Sequence, residues 1–106
     1  MNTNSIRSHD ALMKAFAVAE MVVSTLPETP DSVELGSGDP YSVRLYFHLA
    51  PHLVEDFADH HKTTATTRTP FNGDSHSIYT ESTVVIDGVT VRAWALTDVA
   101  SEVVAA

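Results

Sequence analysis

The sequence predicts an α+β domain in the order αββαβββ, with two helices packed on one face of a four- to five-stranded antiparallel or mixed sheet. Three observations carry this prediction. One segment repeats its apolar residues every three or four positions, others alternate apolar with polar residues, and clusters of Gly, Pro, Asn and Asp separate them. With 106 residues the chain suits a single domain, 1–106, whose ends at 1–7 and 98–106 are expected as flexible tails.

Leu12, Phe16, Ala19, Val23 and Leu26 fall at spacings of 4, 3, 4 and 3, which places them on one side of a helix. That helix is expected over 8–26, with Ser8 as its N-cap and Pro27 and Pro30 as its stop. Met13, Ala17, Val18, Met21 and Val22 broaden the apolar face, so the helix should lie across a sheet or touch a second surface, a homodimer contact included. A β-hairpin follows: Ser32-Val33-Glu34-Leu35, the turn cluster Gly36-Ser37-Gly38-Asp39-Pro40, then 41–48. In this last segment Val43, Leu45 and Phe47 alternate with Ser42, Arg44, Tyr46 and His48.

Pro51 suits the first position of a second helix running to about Lys62. Leu49, Leu53, Val54, Phe57, Ala58 and His61 trace its inner side, and His52, Glu55, Asp56, Asp59 and His60 its outer side. Residues 63–69 consist of Thr, Ala and Arg, a composition for an edge or half-exposed strand. After the loop Pro70-Phe71-Asn72-Gly73-Asp74 come two strands, about 77–86 and 89–97, joined by Asp87-Gly88 in a type I′ turn. Both should be central or well covered, because Val84, Val85, Ile86, Val89, Val91, Ala93, Trp94, Ala95 and Leu96 put apolar groups on both faces. Trp94 reads as core, its alanine neighbours leaving room for the ring. The end of the chain either extends a capped helical turn through Val99 and Val103 or frays.

With no cysteine, the chain has no disulfide, thiolate catalysis or Cys-based metal site. Its six basic residues against 14 acidic ones give a net charge of −8, which argues against direct nucleic-acid binding, since that affinity comes from Lys and Arg on phosphates. Residues 1–10 are polar and the apolar stretch 15–23 is broken by Glu20, so neither a secretion signal nor a membrane span is expected and the cytoplasm is the default compartment.

His52, Asp56 and His60 recur at intervals of four on one helix face, with His48 nearby in sequence. Two histidines eight positions apart stand about 12 Å apart along a helix, too far to share an ion. Only a four-spaced pair supplies two ligands, so His48, His52, Asp56 and His60 are the metal candidates beside the simpler reading, a solvated face; no metal or cofactor is assigned. No phosphate loop, metalloprotease motif or nucleophile elbow is present. Glu55, Asp56 and Asp59 form an acidic surface for steering a basic partner, and Tyr46 and Phe71 are aromatic anchors, Phe71 at a loop tip.

At Val43-Arg44-Leu45-Tyr46-Phe47-His48, Leu53-Val54-Glu55-Asp56-Phe57-Ala58 and Gly88-Val89-Thr90-Val91-Arg92-Ala93-Trp94-Ala95 the chain resembles small uncharacterised α+β proteins of high-GC, actinobacterial genomes, plasmids and phages. The resemblance spans about half the chain and implies fold and a mobile-element context; it carries no functional residue. The function expected is non-enzymatic: a regulatory protein docking on a protein partner through its acidic surface and aromatic loop. A basic nucleic-acid-binding protein blocked by DNA mimicry is a special case. A small metal-dependent or hydrolytic enzyme using the His/Asp helix face, and a self-associating structural subunit, are the alternatives.

Overall fold

The computed structural model describes residues 3–36, 41–68 and 77–98. Two helices and five strands follow in the order α1 (Thr3–Thr25), β1 (Ser32–Gly36), β2 (Ser42–Tyr46), α2 (Pro51–His60), β3 (Thr66–Arg68), β4 (Ser77–Ile86) and β5 (Val89–Asp98). One mixed sheet is ordered β1-β2-β5-β4-β3; β2 and β5 run parallel and the other neighbours antiparallel. The parallel pair arises because the chain leaves the β1–β2 hairpin through α2 before building the second hairpin.

The β4–β5 hairpin turns on Asp87 and Gly88, both at positive φ (52° and 79°), between the paired residues Ile86 and Val89. Two successive left-handed residues are what a type I′ turn demands. β5 extends to Asp98, opposite Ser77, so Asp98 belongs to the sheet rather than to a tail.

Strand alternation separates two faces. Val43 and Leu45 of β2 and Val89, Val91, Ala93 and Ala95 of β5 join α1's Ala15, Val18, Ala19 and Val22 and α2's Val54 and Phe57 in one buried core. The side of α1 that meets the sheet consists of alanine and valine.

α1 corrects the expected bounds and rotates the expected face in part: Ala19 is buried and Val23 and Leu26 pack against the core as expected, whereas Phe16 does not. The helix starts at Thr3, because nothing in 3–7 breaks a helix once nucleated and each added residue gains a backbone bond. Its buried side is centred on Ala15, Val18, Ala19 and Val22, and Phe16 is 53% exposed. With apolar residues around most of its circumference, periodicity alone left the rotation of α1 undetermined. α2 buries Val54, Phe57 and Ala58. Leu49, assigned above to its inner side, instead occupies a left-handed turn before it and is exposed. The helix ends at His60, short of Lys62. Lys62 adopts φ 56°, its N–H donates to the Asp59 carbonyl at 3.2 Å, and the Thr63 N–H donates to the Ala58 carbonyl at 2.8 Å. These two bonds close a Schellman-type cap with lysine where glycine is usual.

Candidate binding face

The even-numbered residues of β2 and β5 and the odd-numbered residues of β4 point away from the helix-packed core. In register across this second face stand Tyr46, Trp94 and Glu81, and one step along them Arg44, Arg92 and Thr83. The Tyr46 and Trp94 rings lie 4.5 Å apart at 39°, and the Trp94 and Tyr79 rings 5.9 Å apart at 28°. Arg68 of the edge strand β3 stacks over Tyr79 at 4.7 Å. Three aromatic rings thus form a row, each turned largely toward its neighbour. Tyr46 and Trp94 are partly exposed, whereas Tyr79, covered by its neighbours, is only 7% exposed.

Polar contacts fix the row at both ends. The Tyr46 hydroxyl is hydrogen-bonded to His48 Nδ1 at 2.9 Å, and the His48 backbone N–H donates to Asp31 Oδ2 at 2.7 Å. Phe47 N–H donates to the Trp94 carbonyl at 3.0 Å, carrying the parallel ladder past the end of β2. At the other end the Tyr79 hydroxyl donates to Glu81 Oε2 at 2.9 Å. Burial first, then that hydrogen bond and the charge of Glu81, hold the Tyr79 hydroxyl above its ordinary pKa and keep it a donor. Glu81 also faces Arg92 at 3.4 Å.

The structure separates the residues that the sequence reading grouped into one docking surface. Tyr46 is on this face. Glu55, Asp56 and Asp59 are exposed on α2, which packs against the other side of the sheet through Val54 and Phe57. Phe71 lies outside the described residues. Of the metal candidates, His52, Asp56 and His60 remain on the outer side of α2, whereas His48 pairs with Tyr46. Among the described residues no three His, Asp or Glu side chains are grouped to hold one ion.

Trp94 corrects its assignment to the core. The alanines beside it, Ala93 and Ala95, point to the opposite face, so the space they leave is under α1 and α2 and not beside the indole. Tyr79, Arg44 and Arg92 were also missed as site residues. Alternation in β2 and β5 puts Tyr46 and Trp94 each out of phase with buried valines, a signal readable from sequence; their adjacency depended on the parallel pairing.

His61 is half-buried against Phe57, with ring centroids 4.7 Å apart, and its Nε2 is buried without a partner. Burial, and then the neighbouring His60, lower its pKa below 6.5. A groove between α1 and β1, about 510 Å³, is lined by Met13, Phe16, Val23 and Val33 among others. Among the described residues no helix is long and apolar enough to cross a membrane.

Comparison with protein-family models, curated proteins and solved structures gave no match to this chain.

Proposed function

We propose that this protein is a non-enzymatic binding module that docks on a protein partner through the sheet face centred on Tyr46 and Trp94. The observation that carries the reading is the aromatic row itself, held in place by hydrogen bonds and flanked by Arg44 and Arg92. Tyr, Trp and Arg are the side chains that dominate interface hot spots, because they bury large rigid area at small entropic cost. Rings packed on one another at 4.5 and 5.9 Å leave nucleobases little room to insert between them, and a net charge of −8 repels a polyanion. Both features favour a protein partner over a nucleic acid. The acids Glu55, Asp56 and Asp59 then form a separate surface that adds long-range steering and no contact at the row. The reading includes the context that the resemblance implies, a cytoplasmic regulator encoded by a high-GC bacterium or one of its mobile elements.

The test is site-specific photocrosslinking in the native host. A photoreactive residue at the exposed Thr83, in the same row as Arg92, should give a discrete protein adduct that disappears when Tyr46→Ala is added. The same group at Glu55 should give none. Adducts from position 55 alone would move the docking surface to α2, and no adduct from either position would overturn protein docking.

A second reading, self-association, is supported by the groove beside the edge strand β1, where Met13, Phe16 and Val33 are about half exposed. It predicts a mass that rises with concentration in light scattering and returns to one chain when Phe16→Glu is introduced.

A further inference from the structure

We infer that the same sheet face binds one small oxyanion of the phosphoryl class between Arg44 and Arg92. Parallel pairing of β2 with β5 sets these arginines side by side, and one step earlier sets Ser42 beside Thr90. All four line a cleft of about 380 Å³ that also includes Gly36. Like charges directly opposite one another across neighbouring strands oppose pairing, so this arrangement calls for a counter-charge.

Two glutamates supply part of it. Arg44 Nη2 lies 3.6 Å from Glu34 Oε1 and Arg92 Nε lies 3.4 Å from Glu81 Oε2, the two acids drawing the guanidinium groups from opposite sides. Both distances exceed the ~2.7–2.9 Å of a charge-assisted hydrogen bond, and each contact occupies one nitrogen of a five-donor fork. The hydroxyls of Ser42 and Thr90 have no hydrogen-bond partner among the described residues. Gly36 faces Ser42 across the ladder, where a Cβ would approach Ser42 Oγ to 2.6 Å. Glycine at 36 therefore leaves that hydroxyl its place in the cleft.

Guanidinium donors on two sides and two unspent hydroxyls suit a compact anion with several acceptor oxygens, which would also relieve the Arg44–Arg92 repulsion. An overall charge of −8 excludes a long polyanion but not a single small one. The site shares a face with the proposed docking surface and does not rest on it, because a free anion fills the cleft with no partner present.

The experiment follows the arginine Nε–Hε resonances by NMR during titration with inorganic phosphate at fixed ionic strength, with chloride as the control. Arg44 and Arg92 should shift saturably while Arg68, which does not line the cleft, stays still. Arg44→Gln and Arg92→Gln should each weaken binding by about tenfold. Gly36→Ala should weaken it to a smaller extent by displacing the Ser42 hydroxyl, with circular dichroism confirming that each variant folds. If one arginine variant fails to fold, the other and Gly36→Ala decide. Tighter binding of O-phosphoserine than of phosphate assigns the anion to a larger molecule, and equal binding assigns it to the free ion; either supports the site. Shifts no greater than those with chloride, or folded variants that all titrate like the parent protein, would overturn it.

Discussion

Along β5, Val89, Val91, Ala93 and Ala95 sink into a core shared with both helices, while Thr90, Arg92, Trp94 and Leu96 line the other side of the same strand. The largest side chain of the strand is on the side without the core, and the smallest are under the helices. Size and hydrophobicity do not by themselves tell core from binding surface. A core beneath closely packed helices favours small groups that fit, whereas a recognition face has room for large rings held at their edges by polar contacts.

Truncating the core side is the strongest way to break this comparison. Phe57→Ala should cost about 3–5 kcal/mol, read as a lower midpoint in urea unfolding, because a fully buried ring leaves a cavity that packed neighbours cannot fill. Trp94→Ala should cost about 1–2 kcal/mol, since the partly exposed indole packs on rings rather than in the helix-covered core, and should abolish the Thr83 crosslink. An equal loss of stability for the two variants would make the aromatic row part of the core.

Ser82 sharpens the contrast from the covered side. Its hydroxyl is buried without a partner on the face where Ser82 pairs with Ala93, so Ser82→Ala should stabilise the fold by about 1 kcal/mol and raise the melting temperature. On α1, Phe16→Gln should change stability by less than about 1 kcal/mol, while Val22→Ala, at a fully buried site, should cost more. The reverse order would restore the helix face that periodicity suggested.

The smallest effect is a pH dependence. The folded pKa of His61 lies below the 6.5 of the unfolded chain, so folding disfavours its protonated form. That contribution is fully present above pH 6.5 and is lost as the pH falls from there toward the depressed folded value. Urea midpoints should therefore decline on acidification more in the parent protein than in His61→Phe. Parallel pH profiles would remove His61 as the cause.

Much of the architecture was readable from local chemistry. Asp87-Gly88 specifies its turn because the backbone there needs two positive φ values, and the Thr-rich segment near 66 suits an edge because its residues neither fill a core nor mind exposure. α2 was readable on its buried side because Val54, Phe57 and Ala58 are flanked by charged positions. α1 was not, since apolar residues surround it and many rotations bury similar area. The candidate site is legible only in part: Tyr46 stands out in an alternating strand, whereas the alanines beside Trp94 suggest a core position and nothing local marks Arg44 and Arg92, which meet only through the parallel pairing.

The sequence by itself determined the element types, the tight hairpin, the absence of cysteine chemistry and the acidic balance, all properties of neighbouring residues or of simple counts. Only the tertiary structure decided which helix face is buried, that β2 lies parallel beside β5, and that Tyr46 meets Trp94 while Arg44 meets Arg92. Those outcomes depend on contacts between residues nearly fifty positions apart in the chain, and their energies come from packing against a surface that exists only once the sheet has formed.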